Sequence, residues 1–293
     1  MYPSSFEYFA PDTLEEAVGI LERFDGEAKV LAGGQSLIPV LKLRAFTAPA
    51  ALVDINRITG LDTLTVTRDG GLTIGALVRH KDCERSEQLG GSFATLGDAA
   101  PQISDPIVRN LGTVCGSLAH ADPQGDWGSA LLAMGAELEV RGPGGERTVP
   151  LDDLFVAPFT TTLQPGEIVT EVRVPAPGRR AGGTYLKLER KVGDYATVGV
   201  AVHVSFADDD TVERAGIALT GVGPTNLRAR RAEEALQGRA LDDEAIRDAG
   251  RLAAEEAQPF DDIRGTADYK RNMVRVYTER GLRKARDQRG GSE

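Results

Sequence analysis

The sequence predicts an α+β protein made of two N-terminal subdomains and a C-terminal domain. Three observations carry this. A helix-then-strand pattern at the amino terminus runs directly into a glycine pair, AGGQSLIPVLKLR at 32–44, and a second α+β unit holds another glycine-rich stretch, LGTVCGSLAHADPQGD at 111–126. PAPG at 175–178 then breaks the pattern. Beyond it long alternating strands come first and helices later, which implies a sheet with helices on one face. The divisions fall at 1–56, 57–177 and 178–287, and 293 residues are enough for each unit to bury its own core.

In chain order, Thr13 and Glu16 form a capping-box pattern, and Leu14, Ala17, Val18, Leu21 and Phe24 recur at helical spacing, so residues 13–24 read as an amphipathic helix. Gly26 ends it. Lys29–Ala32 reads as a short buried strand, which places the first glycine stretch at a strand end where its amides can point outward. Pro39 is tolerated only in a first helical turn, so 37–43 is a short helix, and a strand at 51–55 closes the first subdomain. Gly71–Val78 is strand-like and 81–100 mostly helical. Asp126 stands where a carboxylate caps the helix WGSALLAM, and a strand containing AEL leads into the turn GPGG at 142–145. Strands follow at 184–190, 197–206 and 211–220, and helices near 226–237, 242–257 and 267–286.

Composition excludes several classes. No apolar run approaches the roughly 20 residues that span a bilayer. MYPSSFEYFAPDTLEE carries acids where a signal peptide needs an apolar stretch, so the expected location is the cytoplasm. A formal net charge of -10 disfavours nucleic acid as a partner. Cations collect in the last helix, among them Lys270, Arg275, Arg283 and Arg286; the plain reading is a solvated face, and the sharper one is contact with an acidic subunit. The only cysteines, Cys83 and Cys115, are too few for an iron–sulfur cluster, and His80, His120 and His203 form no zinc pattern. Any metal centre in electron exchange with this chain must come from another.

Two glycine turns from different subdomains can clamp a pyrophosphate between them, whereas the Rossmann fingerprint GxGxxG is absent. With FEYFAPDTLEEAV at 6–18 and YLKLERKVGDYATVGVAV at 185–202, the order of landmarks resembles the flavin-binding medium subunit of molybdenum hydroxylases. That is the family of aerobic carbon monoxide dehydrogenase, nicotine-type dehydrogenases and xanthine dehydrogenase. The resemblance covers nearly the whole chain. It implies a two-subdomain FAD-binding domain of the vanillyl-alcohol-oxidase type followed by the family's C-terminal α+β domain, and noncovalent FAD as cofactor.

By the same resemblance, Ala32, Gly33, Gly34, Gln35 and Ser36 would lie along the pyrophosphate and ribityl chain, with Val30 and Leu31 supporting one end of the cofactor. Thr113, Val114, Cys115, Gly116 and Ser117 match the second pyrophosphate segment, and His120 and Asp126 fall at further polar contacts. Cys115 stands where glycine is frequent, and would be strained if that position needs a positive φ. Lys187 and Tyr195 match the segment that reaches back over the flavin ring, and Leu163 is a further contact. Each has a plainer reading: Cys115 a small buried side chain, His120 a hydrogen-bonded structural histidine, Asp126 a helix cap, Lys187 a strand-surface charge, Tyr195 a loop-packing aromatic.

The resemblance implies an electron-transfer subunit with no catalytic acid, base or nucleophile of its own. A small [2Fe-2S] subunit would supply electrons, a large molybdopterin subunit would hydroxylate substrate, and an external acceptor would take the electrons away. A self-contained flavin oxidase or reductase is the alternative, and a nucleotide-binding module without redox chemistry is the third reading.

Overall fold

A computed structural model of the chain describes residues 1–44 and 47–289. Strand β1 (Glu7–Phe9) leads into helix α1 (Leu14–Arg23), whose Thr13 cap accepts the Glu16 N–H at 3.2 Å. The reciprocal half of the box is displaced by one residue, because the Glu16 carboxylate takes the N–H of Asp12. Ala17, Val18, Ile20 and Leu21 bury one face of α1, as their spacing dictates. Strand β2 (Ala28–Leu31), helix α2 (Leu37–Leu43) and strand β3 (Ala51–Asp54) complete the unit, and β1 and β2 both pair with β3 in parallel. Pro39 sits in the first turn of α2, where its missing N–H costs no bond, and Arg44 ends the helix at φ 54°.

The second unit is a five-stranded antiparallel sheet with helices packed on it. Strands β4 (Leu64–Val66) and β5 (Leu72–Gly75) precede helices α3 (His80–Arg85), α4 (Ala94–Ala99), α5 (Pro106–Leu111), α6 (Val114–His120) and α7 (Asp126–Met134). Strands β6 (Glu137–Gly142) and β7 (Gly145–Pro150) form the hairpin at GPGG, β8 (Phe155–Ala157) and β9 (Thr160–Thr161) a small ribbon, and β10 (Ile168–Val174) returns to the middle of the sheet. Its order is β4-β5-β10-β6-β7.

Strands β11 (Ala181–Leu188), β12 (Val198–Phe206), β13 (Val212–Thr220) and β14 (Leu227–Arg228) form an antiparallel sheet in that order. Helices α8 (Arg230–Leu236), α9 (Asp243–Glu256) and α10 (Ala267–Gln288) follow. They cover one face, as expected, through Val198, Val200, Val202, Ile217 and Leu219. The opposite face is not exposed. α4 and α7 of the preceding unit lie on it, and Tyr185, Ala201 and Ala218 join the same core that begins at Ala17 in α1. The expectation of one private core per unit gives way to two cores, the larger shared across all three. The basic tail is a solvated face in part: Lys284 stays exposed while bridging to Asp98, and the partly exposed Arg275 and Arg283 reach Glu279, whereas Lys270 is buried and paired with Asp262 at 2.8 Å. No described helix is long and apolar enough to cross a membrane.

Candidate functional site

A cleft of about 1020 Å³ runs between the first and second units and reaches the C-terminal sheet. This is the upper end of the roughly 300–1,000 Å³ usual for cofactor sites. All the residues picked out from the sequence line it except Val114, which is fully buried in the core and donates its N–H to the Val78 carbonyl at 3.3 Å.

The first glycine segment forms the turn between β2 and α2. Val30 and Leu31 are half-buried at the end of β2, and the Ala32 carbonyl accepts the Asn56 amide at 2.8 Å. The backbone N–H groups of Gly33, Gly34, Gln35 and Ser36 have no acceptor among the described residues. Ser36 stands at the N-cap without a side-chain bond, and the Gln35 amide folds back to the Gly33 carbonyl. A diphosphate needs several free donors and little bulk, and this turn offers both. Gly34 has φ 69°, which side-chain-bearing residues rarely adopt. Gly33 has a different reason to be glycine: a Cβ there would collide with the Leu111 carbonyl and with Gly112 Cα, so the two glycine segments touch at this point.

The second segment is not a loop but the start of α6. Thr113 caps it by accepting the Gly116 N–H at 3.1 Å, and a Cβ on Gly116 would press on that same hydroxyl at 2.6 Å. Cys115 is a helical residue, so the strain that a positive φ would cause does not arise. Its thiol is buried, directed to the Ile74 carbonyl, and pushed up by desolvation; Cys83 is pushed up to about 12 for the same reason. Both remain protonated thiols at neutral pH. Ser117 and His120 are half-buried along the cleft, and burial lowers the His120 pKa while its ring packs on Phe159 at 5.2 Å.

Asp126 opens α7 but caps nothing. One carboxylate oxygen accepts the Tyr185 hydroxyl at 2.6 Å and the other takes the Lys187 ammonium at 3.0 Å. Lys187 is correspondingly no surface charge: its side chain is 1% exposed and also donates to the Gln102 carbonyl at 2.8 Å, with Glu189 at 3.4 Å. Desolvation raises the Asp126 pKa, and Lys187 and Tyr185 oppose that shift. Burial and the adjoining carboxylate push the Tyr185 phenol well above its ordinary range.

Tyr195 is half-exposed at the cleft mouth on the turn after β11. That turn is held by Asp194, which accepts the Tyr195 N–H at 2.8 Å, Arg190 at 3.0 Å and Arg264 at 3.1 Å. Partial burial opposes ionisation there, yet these donors hold the Asp194 carboxyl down to about 2. Leu163 lies half-buried in the cleft lining. Residues not picked out from the sequence also shape the site. His80 lines the cleft, its Nδ1 accepting the Trp127 indole N–H at 3.0 Å, and Asp122 and Gln124 border the second segment. His80 is the first residue of α3, and no spacing in the sequence links it to Trp127.

Residues 4–177 match the FAD binding domain in molybdopterin dehydrogenase, and residues 183–285 the CO dehydrogenase flavoprotein C-terminal domain. The carbon monoxide dehydrogenase medium chain of Hydrogenophaga pseudoflava is 42% identical over 97% of this chain and 98% of that protein. The 6-hydroxypseudooxynicotine dehydrogenase complex subunit alpha of Paenarthrobacter nicotinovorans is 37% identical over 97% of this chain and 96% of its own length. A solved structure of the Hydrogenophaga pseudoflava carbon monoxide dehydrogenase superposes with a TM-score of 0.93, covering 98% of this chain and 99% of the other. Quinoline 2-oxidoreductase from Pseudomonas putida 86 gives 0.88 at 30% identity, covering 98% and 99%. An unpaired amide turn facing a capped helix across a dinucleotide-sized cleft, in a chain that matches both domains end to end, makes this protein a member of the FAD-binding medium subunits of the molybdenum hydroxylase family, an oxidoreductase subunit.

Proposed function

We propose that the chain carries FAD for electron transfer within a molybdenum hydroxylase complex. It takes electrons from [2Fe-2S] clusters on a small partner subunit and passes them to an external acceptor, while a large molybdopterin subunit oxidises the substrate. The observation that carries this reading is the run of unpaired N–H groups at 33–36 lining a cleft that the start of α6 also lines. Bound FAD supplies the redox chemistry, taking up and releasing electrons singly or in pairs.

The chain's own residues bind and orient. Gly33 to Ser36 donate to the diphosphate from one side, and the α6 segment from Thr113 to Ser117 bounds it on the other. Lys187 and Asp126 keep a paired, desolvated charge at the cleft wall, and the Asp194 clamp holds Tyr195 at its mouth. Among the described residues, no group of three or more His, Cys, Asp or Glu is placed to hold a metal. In this reading the iron–sulfur clusters that reduce the flavin belong to another chain.

The test is the visible spectrum of the chain purified alone and with its co-expressed genomic neighbours, with chromatography of the released cofactor. FAD in either preparation, and iron–sulfur absorption only in the complex, is the expected result. A preparation without flavin in both cases, or with iron–sulfur absorption in the isolated chain, overturns the reading.

A further inference from the structure

Two side chains outside the cleft join its two glycine segments. Arg79, the cap of α3 in the second unit, donates through Nη1 to the Leu111 carbonyl and through Nη2 to Asn56 Oδ1, each at 2.5 Å. Asn56 follows β3 in the first unit and donates through Nδ2 to the Ala32 carbonyl at 2.8 Å and to Asp54 Oδ1 at 2.6 Å. The path therefore runs from Ala32, which adjoins Gly33, to Leu111, which adjoins Gly112 and Thr113. Its ends are fixed. Asp54 also accepts the Tyr8 hydroxyl at 2.6 Å, and the backbone around Arg79 is laced to the second segment by His80 N–H to the Gly112 carbonyl at 3.0 Å.

We propose that Arg79 and Asn56 are positioning residues for the cofactor diphosphate: as a clasp they set the separation of the two glycine segments and so the width of the groove between them. The proposal rests on the FAD reading above. Neither side chain lines the cleft, so neither touches the ligand; both act through the backbone carbonyls they hold. Steric contact of Gly33 with Leu111 sets how close the segments can come, and the clasp sets how far apart they can drift. Attraction and contact together define one spacing. A guanidinium suits this task because its planar fork serves two acceptors at a fixed angle, which a lysine ammonium on a flexible stem does not. Half-burial strengthens the dependence: desolvation lowers the Arg79 pKa, and its hydrogen bonds replace the lost water.

The experiment uses the full chain co-purified with its partners, stripped of flavin, as wild type and as Arg79→Lys, Arg79→Met, Asn56→Ala and Asn56→Asp. Binding of FAD and of riboflavin, which lacks the diphosphate, is titrated, and the thermal midpoint of each apoprotein is recorded. A groove of the wrong width weakens FAD binding by about tenfold or more, the cost of losing one hydrogen bond to a charged group. Riboflavin binding stays as in the wild type. Arg79→Lys, which keeps the charge and one bond, falls between wild type and Arg79→Met. Asn56 is exposed, so Asn56→Ala removes the donor to Ala32 and the acceptor of Arg79, with the apoprotein midpoint as the check on the fold, while Asn56→Asp keeps the acceptor but sets a carboxylate against Asp54. Unchanged FAD affinity in the variants, or equal losses for FAD and riboflavin, overturns the clasp while the flavin reading stands. A wild type that takes up no FAD overturns the flavin reading and the clasp with it.

Discussion

Lys187 and Asp126 show how much of the site depends on single buried charges. The ammonium and carboxylate were taken out of water together, and removing one strands the other. Lys187→Met is therefore expected to destabilise the chain by about 3–5 kcal/mol, read as a fall in the urea midpoint, and Asp126→Asn in the same background recovers much of it. An undiminished midpoint in the single variant contradicts the buried pair. Histidines supply the pH dependence. Desolvation, with Arg109 and Arg79 nearby, lowers His80 to about 4, and desolvation with Arg214 lowers His203 to about 4. An unfolded histidine titrates near 6.5, so the folded state binds fewer protons and its stability is full above that pH and lost as pH falls toward about 4. The loss is about 3 kcal/mol per histidine. Urea midpoints should fall between pH 7 and pH 4.5, and less steeply in His203→Gln. Individual roles of this kind were only partly legible in the sequence. Asp126 reads locally as a cap because nothing near it announces Tyr185 and Lys187, which come from a strand some sixty residues later. Arg79 and Asn56 carry no motif, and their meaning lies in the backbone carbonyls they reach.

Elements were legible where their period is local. Helices α1, α2, α9 and α10 and strands β12 and β13 follow from spacing and from residues such as Thr13 and Pro39. The second glycine stretch misled because Gly116 looks like a loop residue, whereas it allows the Thr113 cap of α6. Strand β10 was missed: its register with β5 and β6 is a long-range property, and the order of a sheet is not written in any one strand. Strand glycines do work that only packing reveals. A Cβ on Gly216 would collide with the Ala133 carbonyl of α7, one on Gly183 with the Thr95 hydroxyl, and one on Gly199 with the Tyr185 hydroxyl. Gly216 and Gly183 let α7 and α4 lie directly on the C-terminal sheet, and Gly199 leaves room within the sheet for the Tyr185 side chain of β11. Gly216→Val is expected to lower stability by at least about 1–3 kcal/mol through overpacking, measured by thermal or urea unfolding. A variant as stable as wild type rules out this close approach.

For the whole molecule, the shared core has a consequence for cooperativity. All nine residues of α7 are buried, between the second unit and the face carrying Ala201 and Ala218. Cutting the chain at the 175–178 break exposes that apolar face on both fragments. Residues 1–177 expressed alone should therefore bind the hydrophobic dye ANS and lose their near-ultraviolet dichroism, while the intact chain unfolds in one transition by all probes. A soluble, well-packed 1–177 fragment contradicts this. The change from mixed helix and strand to long strands is read from the sequence, while the interdependence of the parts belongs to the tertiary structure.

Trp127 is the single tryptophan of the chain, fully buried at the cleft wall with its indole N–H fixed on His80. Indole emission overlaps the near-ultraviolet absorption band of an oxidised flavin, and both chromophores would share one rigid wall. The protein thus contains its own optical gauge: filling the cleft should dim its fluorescence through energy transfer, with no label attached. Emission that does not change on FAD addition, in a preparation that binds FAD by absorbance, places the ring system beyond transfer range of Trp127.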